Sequence, residues 1–93
     1  MLPHYEKSED REAGKILAAS YAALSDWSSA LIYLERLLAQ ATEISVLNQT
    51  AECYIKLTQT DKAIPLLEKS LSLNPDQAAI RDLLEKIRQT IKK

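Results

Sequence analysis
Apolar and small residues recur three or four positions apart along most of the chain, and short polar stretches interrupt the runs. Between Leu47 and Pro75 the pattern is clearest. Leu47, Ala51 and Tyr54 share one helical face, the run breaks over 56–61, and Ala63, Leu67 and Ser70 resume the period before Asn74-Pro75 closes it. That spacing predicts a helix, a tight turn and a second helix folded back on the first. Tyr54 is large and Ala63 is small, as two antiparallel helices need in order to interlock.

The same pattern occurs upstream. Ala18, Tyr21, Ala30, Leu34 and Leu37 precede Ala51, Tyr54, Ala63, Leu67 and Ser70 by 33 residues each. An internal repeat of that length is the mark of a helical solenoid.

The expected helices run over about 9–24, 27–41, 43–57, 60–73 and 76–91. Residues 1–8 read as a flexible lead-in. Ser8 is expected to cap the first helix, with Glu9, Asp10 and Glu12 on a first turn where the dipole favours negative charge. The apolar stripe of that helix is Ala13, Ile16, Leu17, Ser20, Tyr21 and Leu24, with small alanines at 18, 19, 22 and 23 beside it. Ser25-Asp26 ends it and caps the second, whose core residues are Ala30, Leu31, Leu34, Leu37 and Leu38. Thr42 is expected to cap the third, and Thr58-Gln59-Thr60 to form the next turn. Pro65 falls in the early turns of the fourth, where it removes one hydrogen bond and is tolerated. Asn74-Pro75-Asp76-Gln77 reads as the start of the fifth: an Asn cap, Pro at the first helical position and Gln able to bond back. That helix carries Ile80, Leu83, Leu84, Ile87 and Ile91 on one face. Its other face is charged, with Arg81–Glu85 and Asp82–Lys86 spaced for helical ion pairs. Such one-sidedness suits a capping element that shields the last repeat from water.

The segment 44–77 resembles one unit of the tetratricopeptide repeat, on Leu47, Ala51, Tyr54, Ala63, Leu67, Ser70 and Pro75. Residues 11–43 are similar to a second unit, with Leu17, Ala18, Tyr21, Ala30 and Leu34 in place and with Ser25-Asp26-Trp27 where the family has a Gly-Asp-Tyr turn. This unit departs at Leu37, where a small residue belongs, lacks the closing Pro and is one residue shorter. The resemblance implies an all-α fold, a right-handed α-solenoid of antiparallel helix pairs with about five helices. It divides one domain, 9–93, into repeat 1 (about 11–43), repeat 2 (about 44–77) and a capping helix (about 76–91).

Composition narrows the function. One glycine, three prolines and no Phe among 93 residues favour a helical chain. A net charge of −1 offers no electrostatic support for nucleic acid. No apolar run approaches the length of a membrane span, and the polar N-terminus is no signal peptide. The single Cys53 cannot form an internal disulfide, which suits a reducing compartment, and a cytoplasmic location is expected.

Catalytic chemistry finds no footing. His4 is the only histidine and lacks metal-ligating partners. Cys53, beside Tyr54, reads as a small core residue. Asn48-Gln49-Thr50 matches a glycosylation acceptor but falls within a helix. Gly14, the only glycine, makes no phosphate loop. No enzyme activity, metal or cofactor is expected.

The remaining kind of site is a surface. In a stack of helix pairs the first helix of each unit lines the concave side. Periodicity places Glu12, Lys15 and Ala19 there from the first helix, Asn48, Gln49, Glu52 and Lys56 from the third, and Asp82 and Lys86 from the fifth, with Ile16, Ala22, Ala23, Ser45, Ile55, Ala79 and Leu83 among them. Small alanines leave room and amides can bond an extended backbone, so the groove is expected to take a peptide segment or a helix of a partner protein. The resemblance also brings in a variant of the family that clamps a C-terminal carboxylate with Lys, Asn, Asn, Lys and Arg. Only Lys15 matches; Ala19, Gln49, Ala79 and Leu83 stand at the other four positions, against that activity. Trp27 is expected to pack across its hairpin, and Tyr33 with Leu37 to mark an unusual convex patch.

The leading expectation is therefore a protein–protein interaction module, with neither nucleic acid nor membrane as partner. One alternative is a structural subunit that stacks with itself or another chain, using acidic residues near the start (Glu6, Glu9, Asp10, Glu12) and basic ones near the end (Lys86, Arg88, Lys92, Lys93). Another is a small client-specific chaperone of the secretion type.

Overall fold
The computed structural model describes residues 3–91, with side chains from 11 to 90. The chain is all-α: α1 (Pro3–Ala23), α2 (Trp27–Gln40), α3 (Ile44–Lys56), α4 (Thr60–Leu73) and α5 (Ala78–Ile91). Each helix packs on the next, α1 on α2, α2 on α3, α3 on α4 and α4 on α5. The result is elongated, 54 × 28 × 17 Å.

The repeat read from the sequence is present in three dimensions. Ala18, Ala30, Leu34 and Leu37 are buried, and so are their partners 33 positions on, Ala51, Ala63, Leu67 and Ser70. Both hairpins turn through the same hydrogen bonds. Asp26 N donates to Tyr21 O at 2.8 Å, and Gln59 N donates to Tyr54 O at 2.8 Å. Ser25 and Thr58, again 33 apart, both hold a left-handed backbone, with φ of 62° and 61°. Asp26 caps α2 as expected, its Oδ1 accepting from Ser29 N at 3.4 Å.

Left-handed backbone costs an L-residue about 1–2 kcal/mol, and most for a β-branched one. Asn tolerates it best after Gly and does not loosen the unfolded chain as Gly does. Thr58→Asn is therefore expected to stabilise the chain by about 1 kcal/mol, read as a rise in the urea midpoint with unchanged slope.

Several boundaries differ from expectation. Helix α1 begins at Pro3, six residues before Glu9, so the flexible lead-in is helical from Pro3 onward. Pro presets the first helical φ, no further proline lies between it and the turn, and the single Gly14 does not interrupt the helix. Ser8 is thus inside the helix, and Glu9, Asp10 and Glu12 are beyond its first turn. The side chains of His4, Ser8, Glu9, Asp10 and Ile91 lie outside the described ones. At α3 the cap is Glu43, not Thr42, and no side chain caps that end. Helix α5 starts at Ala78 rather than Asp76. Asn74 instead ends α4, its Oδ1 accepting from Asp76 N at 3.0 Å, and Gln77 bonds back to Asn74 O at 2.8 Å. Pro65 sits inside an unbroken α4.

The stripe expected to be the core of the first helix is also corrected. Ala13, Ile16, Leu17, Ser20 and Leu24 are exposed. The face turned to α2 is the small one, with Ala18 buried and Gly14, Tyr21 and Ala22 half-buried. On α5 the apolar face is as expected, with Leu84 and Ile87 buried against Ala63 and Leu67 of α4. Among the described residues, neither Arg81–Glu85 nor Asp82–Lys86 forms an ion pair. Arg88 reaches across to Glu68 on α4 instead. Exposed pairs of this kind gain little over hydration, so either arrangement is weak.

A charge cluster joins the two repeats. Arg11 donates through Nη2 to Glu43 Oε2 at 2.6 Å, through Nε to the same oxygen at 3.1 Å, and through Nη1 to Leu37 O and Gln40 Oε1 at 3.0 Å. Lys15 Nζ meets Glu43 Oε1 at 2.9 Å. Three elements are thereby tied at one point: α1, the last turn of α2 and the start of α3. Hydrogen bonds from Lys15 and then Arg11 hold the Glu43 carboxyl below its ordinary pKa of 4.5, against a small opposing effect of desolvation. A lowered folded-state pKa gives stability that is present above about 4.5 and lost as pH falls through the lower folded value. Acid titration of stability is expected to show this loss in the native chain, and Glu43→Gln to remove it.

Candidate functional site
The exposed faces of α3 and α5 enclose a cleft of about 360 Å³. Its wall on α3 is Asn48, Gln49, Glu52, Ile55 and Lys56, and on α5 it is Ile80 and Leu83. Helical period brings the α3 residues onto one face: 48, 52, 55 and 56 are three, four or one apart on the wheel, and Gln49 flanks them. The floor is apolar through Ile55, Ile80 and Leu83, and the rim bears one acid and one base, Glu52 and Lys56, both exposed.

The cleft is fixed at one end by a half-buried amide network. Asn48 Nδ2 donates to Gln77 Oε1 at 3.0 Å. Gln77 Nε2 faces Ser70 O and Ser70 Oγ at 3.1 Å and Asn74 O at 2.8 Å. Two of these acceptors are carbonyls, so that end of Gln77 must be the NH₂, and its oxygen is left for Asn48. Asn48 Oδ1 is buried without a hydrogen-bond partner among the described residues. At the other end the Lys56 ammonium lies 5.7 Å from the centre of the Trp27 ring. Trp27 packs on the core to which α1, α2 and α3 all contribute, and so reaches past its own hairpin to α3.

Four of the nine residues assigned to the groove therefore line this cleft: Asn48, Gln49, Glu52 and Lys56. The other five lie outside it. Lys15 is held by Glu43. Glu12 and Ala19 are exposed on α1, and Asp82 is exposed on α5. Lys86 lines a separate hollow with Thr60, Ile87 and Thr90, toward the start of α4. The clamp match at Lys15 is thus occupied by an internal ion pair. Ile80 was missed as a lining residue, since its period placed it in the core; it is half-buried and serves both.

Two further side chains behind the cleft have altered chemistry. Cys53 is buried, and burial pushes its thiol above the ordinary 9.0, with nearby Glu52 adding to the rise. The Tyr54 hydroxyl donates to the Glu35 carboxylate on α2, which, followed by burial, raises its pKa to about 12. Neither group is poised to lose a proton near neutrality.

The hairpin α3–α4 that forms the α3 wall is also where a comparison with known families succeeds. The family model described as the tetratricopeptide repeat matches residues 47–76. Over those residues, about a third of the chain, hairpin α3–α4 is similar to a tetratricopeptide repeat. No curated protein and no solved structure matches it. Tetratricopeptide repeats generally mediate protein–protein interaction. The matched repeat contributes Asn48, Gln49, Glu52, Ile55 and Lys56 to the cleft, and the helix that follows it contributes the rest. Hairpin α1–α2 has the build of the matched repeat, with the same turn bonds, a left-handed residue at the same place, and burial shared at the pairs 18/51, 30/63, 34/67 and 37/70. Among the described residues no helix is long and apolar enough to cross a membrane.

Proposed function
We propose that the chain is an interaction module that binds a peptide segment or short helix of a partner protein in the cleft between α3 and α5. The observation that carries this reading is the composition of the cleft: an apolar floor of Ile55, Ile80 and Leu83 under a polar rim of Gln49, Glu52 and Lys56, between α3 of the matched repeat and α5. An apolar side chain of the ligand seats on the floor, while Gln49 bonds its backbone and the two charges fix its orientation. The frame needs no rearrangement, since the Asn48–Gln77 bond already holds α3 to the start of α5.

A library of displayed peptides selected on the chain tests this. The selected peptides are expected to shift the backbone amides of Gln49, Glu52, Ile55 and Leu83, and exposed Glu52→Lys with Lys56→Glu is expected to weaken them at least tenfold while leaving helicity intact. Selected peptides that bind the reversed variant equally well, or that shift none of these amides, would sink the proposal.

A further inference from the structure
Among the described residues, the repeat offsets single out an apolar row of one helix that has no helix on it. On α3 the row Val46, Thr50, Cys53 is covered by α2, and none of the three is more than 2% exposed. Thirty-four positions on, the row Ile80, Leu84, Ile87 of α5 is covered by α4 in the same way. Thirty-three positions back, the row is Ala13, Leu17, Ser20, with Leu24 as the counterpart of Leu57. All four are exposed, Leu17 by 40% and Leu24 by 77%. A cleft of about 320 Å³ runs beside the row between α1 and α2, and Tyr33, Arg36 and Gln40 form its far wall.

We propose that this edge of α1 is a docking site for an amphipathic helix of a partner protein, seated as α2 is seated on α3. The surface continues an interface that the chain makes twice within itself, and each time the occupant is the second helix of a hairpin. That precedent fixes the chemistry. On α3 the incoming helix supplies leucines (Leu31, Leu34) and one carboxylate, Glu35, which accepts a hydrogen bond from the Tyr54 hydroxyl. The counterpart of Tyr54 is Tyr21, stacked on Tyr33 with ring centres 5.8 Å apart; among the described residues its hydroxyl bonds to nothing. Arg36 stands over the other end of the same cleft, 5.6 Å from the Tyr33 ring, and pairs with no acid among the described residues. The occupant is thus a helix with an apolar stripe and acidic residues flanking it.

A second copy of the chain does not supply one. The stacking faces of α2 and α4 are already taken by α3 and α5. The outer face of α5, at the positions matching Leu47, Ala51 and Tyr54, carries Arg81, Glu85 and Arg88, all exposed. Head-to-tail stacking would strip water from those charges against an apolar row.

The probe is a peptide with the sequence of residues 25–41, held helical by a lactam bridge between positions 28 and 32, both of which face solvent in α2. Titrated into the full chain, it is expected to shift the amides of Ala13, Leu17, Ser20 and Leu24 saturably. Leu17→Asp in the chain is expected to weaken it at least tenfold, and Glu35→Gln in the peptide several-fold. Leu24→Asp, at a more exposed position, serves as the second variant if circular dichroism shows that Leu17→Asp has lost helix. Gln49→Ala, on the α3–α5 cleft, is expected to change nothing, so this surface and the peptide cleft fail independently. The proposal is overturned by an absence of saturable shifts at millimolar peptide, by shifts confined to α3 where the peptide would be replacing α2, or by full binding to the aspartate variants. Self-association of the chain alone that Leu17→Asp abolishes would overturn it too, by giving the surface to a second copy.

Discussion

Leu37→Ser is expected to destabilise the chain by about 3 kcal/mol, and adding Gly14→Leu to recover most of that loss. The two positions form one packing unit. Leu37 is buried, and a Cβ built on Gly14 would lie 3.3 Å from its Cδ2 and 3.7 Å from its Cγ. Thirty-three residues on, the corresponding pair is Leu47 and Ser70, both buried. Repeat 1 thus has small on the first helix and large on the second, and the matched repeat has the reverse. Leu37→Ser alone empties a leucine-sized volume opposite a residue with no side chain to fill it. Gly14→Leu alone drives a side chain into Leu37, costing about 1–3 kcal/mol and regaining roughly 1 from helix propensity. Together they copy the arrangement of the second repeat. Recovery stops short of complete, because Ser70 owes its satisfied hydroxyl to Gln77, and the new serine has only its own helix carbonyl to bond. Urea unfolding of the two single variants and the double variant gives the coupling directly. Additive losses would show that the positions do not form a pair.

That pair also shows what a period can and cannot reveal. Leu37 stood out in the sequence as a departure from the repeat, but its explanation lies 23 residues away at Gly14, and only packing joins them. The repeats themselves were legible because alternation of large and small at a fixed offset is a local signal; Ala30 with Ala63 and Tyr21 with Tyr54 need no partner to be seen. The start of α3 was not, since Thr42 has the better capping chemistry while Glu43 answers to Arg11 and Lys15 across the fold. The stripe on α1 was recognised as apolar, yet periodicity does not say which face has a neighbour. Ile16 and Leu24 therefore read as core and are exposed. The candidate cleft divides the same way. Its α3 wall follows from the period of one helix, whereas Ile80 and the exclusion of Lys86 depend on how α5 is rotated, which its own sequence leaves open.

Gln77→Ala is expected to cost about 2 kcal/mol, clearly more than Asn48→Ala, although the two side chains share a hydrogen bond. Removing Gln77 strands two groups at once, the buried Ser70 hydroxyl and the Asn48 amide, and leaves the Ser70 carbonyl with Asn74 N alone. Removing Asn48 strands only Gln77 Oε1, which still has Ser70 Oγ within 3.5 Å, and takes away the buried Asn48 Oδ1 that had no partner to lose. The second change therefore trades one hydrogen bond for relief of a desolvated acceptor and should cost well under about 1 kcal/mol. Gln77→Glu sharpens the test. At neutral pH it points carboxylate oxygens at the carbonyls of Ser70 and Asn74, so its folded-state pKa is raised. The variant should then regain stability as pH falls through that raised value, where a protonated acid can donate one hydrogen bond in place of the lost amide. Equal losses from Asn48→Ala and Gln77→Ala, or a Gln77→Glu variant indifferent to pH, would mean that the network is not what holds α3 to the start of α5.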